Sequence, residues 1–343
     1  MPIESQQDAL SVASPAEHAD GAAASIPPQP RTIWQQVAPA LEAMRPKQWS
    51  KNGLVLLALV FARRLSDLAA VERVILAFFA FSLAASAIYI INDIADRDKD
   101  RIHPKKRLRP IASGRLTIPA AITTAGICVL GAALLTFWLA ALSLPTVHDP
   151  FVQWGGAPLL FTATITCYFV MNLAYSSWLK HQVLWDVFII AAGFVLRALA
   201  GAFAIPVPIS PWFYLCTTFL ALFLALGKRR AELILLDDEA VNHRKNLREY
   251  TVQLLDQLMS VVVTCTLITY SLYTFQSDNS HALMVTIPFV LFGIFRYLYL
   301  IYVKGEGSHP DELLYRDRQI LATVVLCVLV VMFVLYGLPL LRS

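Results

Sequence analysis

The sequence predicts an all-α, polytopic membrane protein with about nine transmembrane helices. Three observations lead to this fold class. Of the 343 residues, 57% are hydrophobic and 15% are charged, and the mean hydropathy of +0.59 is unlike that of a soluble domain. The apolar residues fall into nine runs that approach or reach membrane-spanning length. Most basic residues lie in every second loop between these runs.

Two elements precede the first apolar run. Residues 1–31 are rich in Ala, Pro, Ser and Gln, which predicts a disordered cytoplasmic tail. Residues 32–46 predict a helix in the membrane interface, with an ordinary linker as the alternative. Apolar residues recur there at helical spacing: Trp34, Val37, Leu41 and Met44. The expected domains are therefore the tail and a transmembrane domain over 32–343.

The nine runs are assigned as spans because about 20 apolar residues cross a hydrocarbon core of about 30 Å. The first is short and the third is long. The predicted spans are 52–65, 74–95, 117–143, 155–176, 184–205, 211–227, 253–276, 283–303 and 319–340.

The basic residues predict the orientation, because Lys and Arg are retained on the cytoplasmic side. With the N-terminus inside, cytoplasmic segments hold 22 of the 28 Lys and Arg residues. Arg63, Arg64 and Arg73 flank the first outer turn and argue against the first hairpin. The bias favours a cytoplasmic N-terminus and an outer C-terminus, and the expected location is the inner membrane of a bacterium. The net charge of +4 indicates anionic lipid or substrate as partners, and no nucleic acid.

The segment after the second span carries the most informative pattern. Four oxygen-bearing side chains are spaced by one to four residues: Asn92, Asp93, Asp96 and Asp100. On a helix they share a face, which places hard ligands where the span meets water. The pattern predicts a Mg²⁺ ion that holds a diphosphate. The bases that follow include Lys106 and Arg109, and a positive-inside anchor explains these bases but not the spaced acids.

Two other basic groups are candidate phosphate sites. The first precedes the first span and consists of Arg45, Lys47 and Lys51, which would hold a lipid phosphate or act only as membrane anchors. The second opens the loop after the sixth span with Lys228 and Arg229. The acids of that loop, at 237–239, are consecutive and cannot share one helix face, so no second metal site is expected.

Two charged residues lie in the fifth span. Asp186 and Arg197 are 11 residues apart, almost three turns, and so share a helix face. An arginine at this depth is a candidate site residue, with a structural role as an equal alternative. Weaker candidates lie at cytoplasmic helix ends: Tyr175, Lys180, Tyr250 and Arg316.

The NDxxDxxxD pattern at the end of the second span resembles that of the UbiA-type intramembrane prenyltransferase superfamily. A finer similarity is to the branch that transfers phosphoribose to polyprenyl phosphates, and it covers nearly everything after residue 40. The similar segments are RPKQWSKN (45–52), YIINDIADRDKDRIHPKKRLRPIASG (89–114), WDVFIIAAGFVLRALAGA (185–202), GKRRAEL (227–233) and YRDRQ (315–319). The resemblance implies a UbiA-like helical bundle with a cytoplasm-facing active-site cavity.

The implied reaction is Mg²⁺-dependent transfer of 5-phosphoribose from phosphoribosyl pyrophosphate to a polyprenyl phosphate such as decaprenyl phosphate, for cell-envelope polysaccharide synthesis. Pyrophosphate is released. The expected catalytic residues are Asp93, Asp96 and Asp100, which with Asn92 bind the metal. The expected ligands of the lipid phosphate are Arg45, Lys47 and Lys51. The expected ligands of the sugar phosphates are Lys106, Arg109, Lys228 and Arg229.

Two alternatives remain at this stage. A prenyltransferase would move a polyprenyl chain from its diphosphate to an aromatic acceptor, but it would need a second Asp motif. A polyprenyl-lipid carrier would need headgroup cations but no metal-binding face. The sequence leaves the oligomeric state open, a homo-oligomer included.

Overall fold

The computed structural model describes residues 32–142, 149–235, 249–276, 281–307, 312–313 and 316–342. Within these ranges the chain is helical and has no strand. The tail predicted over 1–31 and the acids at 237–239 lie outside the described residues.

The described helices follow the predicted spans closely. Eight helical segments in the described ranges are long and apolar enough to cross a membrane, so the chain is a multi-pass membrane protein. The helices are α1 (Ile33–Ala43), α2 (Leu57–Phe61), α3 (Leu68–Ala95), α4 (Arg97–Ile102), α5 (Ile118–Ala141), α6 (Ala157–Ser177), α7 (Trp185–Ala204), α8 (Pro211–Leu235), α9 (Val252–Gln276), α10 (Ile287–Tyr302), α11 (Arg318–Met332) and, after a π-helical turn, α12 (Leu338–Arg342).

The first predicted span, 52–65, differs from the expected α-helix. The chain forms a 3₁₀-helix over Pro46–Leu56, which continues directly into α2. These helices are shorter than the eight spanning segments. Because a 3₁₀-helix rises about 2.0 Å per residue against 1.5 Å for an α-helix, the two together still extend over roughly 30 Å. The first predicted span, 52–65, is therefore occupied by the end of this 3₁₀-helix and by α2, and it is not among the eight long apolar segments.

Close contacts hold this 3₁₀-helix against the bundle. A Cβ on Gly201 of α7 would lie 2.1 Å from the Val55 carbonyl oxygen, so only glycine permits this approach. On the other side, Trp49 Nε1 donates to Ser86 Oγ at 3.0 Å and Asn52 Nδ2 donates to a serine of α3 at 3.0 Å. The basic segment 45–51 is thereby fixed beside α3.

Two buried cores build the bundle, and α7 contributes to both. The first surrounds α3, whose inner positions are mostly alanine, and includes residues of α5, α6 and α7. Small side chains let helices approach closely where no hydrophobic force drives association. The second core joins α7, α8, α9 and α10 around Phe223, Leu255 and Tyr297.

Arg64 and Arg73, which flank the turn predicted to lie outside the membrane, cap helix ends. Arg73 is buried, its Nε donates to the Ala204 carbonyl at 2.6 Å, and it also donates to the Leu142 carbonyl. Arg64 donates to the Ile205 carbonyl at 3.0 Å. The last carbonyls of a helix lack partners within the helix and carry negative partial charge, which these guanidinium groups satisfy. These two arginines therefore have a local structural use, and they no longer argue against the first hairpin.

The amphipathic helix predicted before the first span is α1. Three of its apolar residues, Trp34, Val37 and Leu41, are exposed. Arg115 holds α1 through a bidentate ion pair with Glu42, at 2.6 and 2.7 Å, and this pair lowers the pKa of the Glu42 carboxyl. The position of α1 in the membrane interface stays a prediction.

Candidate active site

Most of the predicted site residues lie at one end of the bundle, where α3, α6 and α8 end and α7 and α9 begin. Ion pairs and hydrogen bonds cross between these helix ends. Two groups of side chains result. We call the first group the acidic rim; it consists of Asn92, Asp93, Asp96 and Asp100. We call the second group the buried tetrad; it consists of Asp186, Arg229, Glu232 and Tyr250.

The acidic rim is built by a helix that is interrupted at Asp96. α3 ends at Ala95, Asp96 has φ −92° and ψ 7°, and α4 begins at the next residue. Backbone hydrogen bonds from Asp96 to Asn92 (2.8 Å) and from Asp100 to Asp96 (2.9 Å) preserve the helical spacing across the interruption. Asp93 and Asp100 therefore come together, as the sequence predicted, although the helix is not continuous.

Two arginines cover the acids of the rim. Arg109 Nη1 donates to Asp100 Oδ2 at 2.6 Å and to Asp93 Oδ1 at 3.1 Å. Arg45 Nη2 donates to the same Asp93 oxygen at 2.5 Å. Both aspartates are only 3% exposed. The sequence placed them where the span meets water but could not show that Arg45, 48 residues from Asp93, would help to cover them.

Arg45 reaches Asp93 from a strained backbone. Its φ of 54° and ψ of 60° place it in the left-handed region, which non-glycine residues rarely adopt. Its guanidinium also lies 4.9 Å from the centre of the Tyr89 ring. A cavity of about 290 Å³ opens beside this arginine, and its polar lining is Glu42, Arg45, Asp93, Lys105 and Arg109. Sequence analysis missed Lys105, which was not distinguished from the other bases of its run.

Asp96 and Asn92 are more accessible than the other two rim residues. Asp96 keeps 35% of its side chain exposed, and Lys180 Nζ lies 3.8 Å from its Oδ2. Asn92 is half-buried. Among the described residues no group of three or more acids, histidines or cysteines is arranged to hold a metal. Mg²⁺, however, commonly takes one or two carboxylates and completes its shell with phosphate and water oxygens. The oxygen-only donor set of the rim fits such an ion.

The buried tetrad centres on Asp186. Its Oδ2 accepts from Arg229 Nε at 2.6 Å and its Oδ1 accepts from the Tyr250 hydroxyl at 2.8 Å. The Tyr250 oxygen in turn accepts from the Leu184 backbone at 2.7 Å. Burial, together with the hydrogen bond to Asp186, raises the pKa of Tyr250 well above its usual range. Arg229 and Tyr250 thus contact acids and backbone, where the sequence suggested that they contact substrate.

Arg197 does not join Asp186, although the two share a helix. Its Nε donates to Asn52 at 2.7 Å, its Nη1 to the Gly193 carbonyl at 2.7 Å and its Nη2 to the Tyr168 hydroxyl at 2.8 Å. The side chain is buried, and these partners are all internal. The contacts favour the structural alternative, in which Arg197 ties the first span to α6 and α7.

The remaining predicted ligands differ in exposure. Tyr175, Lys51 and Lys228 are half-buried, whereas Lys47, Lys106 and Arg316 are exposed. A cavity of about 570 Å³ lies at the opposite end of the bundle, among the rings of Phe61, Phe213 and Tyr273. This cavity does not include the acidic rim, and the expected cytoplasm-facing active-site cavity stays a prediction.

Comparisons with known proteins agree with this architecture. Residues 53–314 match the sequence model of the UbiA prenyltransferase family. A protein of Mycolicibacterium smegmatis named decaprenyl-phosphate phosphoribosyltransferase is 36% identical over 300 residues, which cover 82% of this chain and 87% of the relative. A protein of the same name from Corynebacterium glutamicum is 34% identical over 304 residues, covering 86% and 87%.

A solved structure shares the fold. The UbiA homologue of Archaeoglobus fulgidus, solved with GPP and Mg²⁺, superposes with a TM-score of 0.61 at 17% identity, covering 87% of this chain and 99% of that protein. The similarity confirms the predicted UbiA-like helical bundle.

Proposed function

Because the chain belongs to the UbiA prenyltransferase family, we propose that it transfers 5-phosphoribose from phosphoribosyl pyrophosphate to a polyprenyl phosphate such as decaprenyl phosphate. The names of relatives that are 34–36% identical support the choice of substrates. The observation in this chain that carries the proposal is the acidic rim, where two carboxylates and two arginines meet. This composition suits a metal-bound diphosphate accompanied by further phosphate groups.

Asp93, Asp96 and Asp100, with Asn92, are the residues that would hold Mg²⁺. When bound, the ion would supply positive charge that neutralises the pyrophosphate as it departs. A UbiA homologue of the same fold was solved with Mg²⁺ and a prenyl diphosphate, which supports a metal in this protein too.

Arg45 and Arg109 would bind phosphate oxygens. Both contact the same Asp93 oxygen, so they lie at one point of the site. From the sequence, Arg45 was expected to bind the lipid phosphate and Arg109 the sugar phosphates. We propose instead that they act together on one phosphate group, with Lys105 beside them in the same cavity. Lys47, Lys51, Lys106 and Lys228 remain proposed contacts for the other phosphates.

The reaction needs no strong general base. A phosphate monoester is already anionic at neutral pH, so an oxygen of the lipid phosphate attacks the anomeric carbon of the ribose directly. The bond from that carbon to the pyrophosphate oxygen breaks as the new bond forms, through a centre with oxocarbenium character. One displacement of this kind inverts the configuration at the anomeric carbon. Tyr175 and Lys180 would orient the departing diphosphate.

The proposed setting is the inner membrane of a bacterium, with the acidic rim on the cytoplasmic side. Basic residues concentrate at this end of the bundle, as expected for a cytoplasmic face. We also propose that residues 32–343 form one transmembrane domain after a separate tail, and that the product serves cell-envelope polysaccharide synthesis.

A transfer assay tests the function. The purified protein is incubated in detergent with labelled phosphoribosyl pyrophosphate and decaprenyl phosphate, with and without Mg²⁺. We expect label to enter the lipid phase only when the metal is present. A parallel reaction supplies a labelled prenyl diphosphate with an aromatic acceptor. Transfer in that reaction alone would refute the proposal.

A further inference from the structure

Arg229 is surrounded by acids at the cytoplasmic end of α8. Its side chain is 2% exposed, its Nε donates to Asp186 at 2.6 Å and its Nη1 donates to Glu232. A guanidinium that is this buried and already bound to two carboxylates is closed to a phosphate, unlike Arg109, whose side chain is 30% exposed. Arg229 is therefore poorly suited to the direct phosphate contact that its position in the sequence suggested.

The third nitrogen of the Arg229 guanidinium contacts a neutral side chain on another helix. Nη2 of Arg229 lies 3.2 Å from the hydroxyl of Tyr175 on α6. A guanidinium can only donate hydrogen bonds, so the phenol oxygen is the acceptor and its hydrogen is directed elsewhere. Because linked hydrogen bonds polarise one another, a phenol that accepts from a cation is also a stronger donor.

The guanidinium is held in this direction by a rigid support. Asp186 has no exposed surface, and Tyr250 binds its second oxygen at 2.8 Å, so the carboxylate cannot rotate away from Arg229. Tyr250 is itself fixed by the backbone of Leu184. Residues of α7 and α8 and of the segment directly before α9 thus converge to orient one side chain toward α6.

Tyr175 connects this support to the acidic rim. It lies in the last two turns of α6, directly before the turn that carries Lys180. Lys180 Nζ is 3.8 Å from Asp96, one of the residues proposed to hold the metal. The turn at the end of α6 therefore reaches the acidic rim, and Tyr175 lies five residues before the lysine that makes this contact.

We propose that Arg229 is a positioning residue, which Asp186 and Glu232 hold so that Tyr175 donates its hydrogen to the diphosphate of the bound substrate. The proposal rests on the proposed function for the identity of that substrate. It needs only that a metal-bound diphosphate occupies this rim, so it can be tested with inorganic pyrophosphate.

A double-mutant cycle tests the coupling. The dissociation constant of pyrophosphate with Mg²⁺ is measured by calorimetry for the wild type, Tyr175→Phe, Arg229→Lys and the double variant. Removing one hydrogen bond to a charged group should weaken binding about tenfold in Tyr175→Phe. Lysine keeps the charge but cannot hold two acids and a phenol at once, so Arg229→Lys should weaken binding to a similar extent. The double variant should bind no more weakly than Tyr175→Phe.

Arg230→Lys is the matched control. Arg230 is the next residue along α8, but its Nε donates to Asp256 at 2.6 Å and its guanidinium lies 4.2 Å from the centre of the Tyr302 ring. It belongs to a different contact and should leave the dissociation constant unchanged. A purely structural role of Arg229 would lower the unfolding temperature and the number of binding-competent molecules, but not the affinity of those that remain.

Two results would overturn the proposal: unchanged affinity in Tyr175→Phe, or independent, multiplicative losses in the double variant. Should Arg229→Lys fail to fold, Asp186→Asn replaces it in the cycle, because asparagine keeps the shape and one acceptor but releases the guanidinium. It should weaken binding in the wild-type background and have no further effect on Tyr175→Phe. Transfer from phosphoribosyl pyrophosphate is measured separately, so a failure of the proposed function is not mistaken for a failure of this inference.

Discussion

Asp96→Asn tests the acidic rim most sharply, because it should lower the catalytic rate while leaving the folding stability almost unchanged. Asp96 is 35% exposed, and its ion pair with Lys180 spans 3.8 Å. An exposed pair of this kind contributes about 0–1 kcal/mol to folding. We therefore expect the unfolding temperature to fall by no more than about 2 °C. Loss of a carboxylate that holds the metal should lower kcat by about a hundredfold or more.

Two neighbouring aspartates provide the comparison. Asp100 is 3% exposed and accepts from Arg109 at 2.6 Å, so Asp100→Asn should lower both turnover and the free energy of unfolding, the latter by about 1–3 kcal/mol. Asp98 is 89% exposed and meets Arg101 only at 3.7 Å, so Asp98→Asn should change neither. Thermal unfolding followed by tryptophan fluorescence and initial rates with labelled donor measure the two quantities. Turnover in Asp96→Asn above a tenth of the wild-type rate would refute the assignment.

Three further predictions concern the scaffold. In Gly201→Ala, the new Cβ would lie 2.1 Å from the Val55 carbonyl oxygen, so the 3₁₀-helix must shift. The free energy of unfolding should therefore fall by about 1–3 kcal/mol. An unfolding temperature equal to that of the wild type would contradict this prediction. Arg197→Met should remove the donor that Asn52 and Tyr168 share in the bundle and lower the unfolding temperature. The affinity of the folded fraction for pyrophosphate should stay unchanged, and a selective loss of affinity would point to substrate contact. Arg296 lowers the pKa of Asp317, so the stability that this pair contributes is present above about pH 4 and is lost as the pH falls through the lowered value. Asp317→Asn should therefore unfold at a lower temperature than the wild type at pH 7, and this difference should shrink as the pH falls through the lowered value. A difference that stays constant on acidification would contradict the mechanism.

The transmembrane helices could be predicted from the sequence because each depends on local composition. A run of about 20 apolar residues is stable across a bilayer whatever its neighbours are, since all its backbone hydrogen bonds are internal. Eight helical segments of the described chain agree with these runs. The first span was predicted less well, because the 3₁₀ form of Pro46–Leu56 accompanies a close contact of Val55 with Gly201, 146 residues further along the chain.

The partners of the charged residues could not be predicted in the same way. Arg45 is 48 residues from Asp93, and Arg229 is 43 residues from Asp186. Nothing in the spacing of either residue indicates its partner. The outer arginines illustrate the same limit, because Arg73 caps a helix that ends 131 residues later.

The sequence by itself determined that this chain crosses a membrane as a bundle of helices and that oxygen ligands and bases follow its second span, because hydropathy and helical periodicity are properties of neighbouring residues. The tertiary structure alone decided that Asp93 and Asp100 lie beneath Arg45 and Arg109, and that Arg229 contacts acids and a phenol. Such pairs form only where the ends of particular helices lie side by side in the folded bundle. A buried charge is stable only beside an opposite charge or a hydrogen-bonding group, and the folded bundle selects those partners from distant parts of the chain.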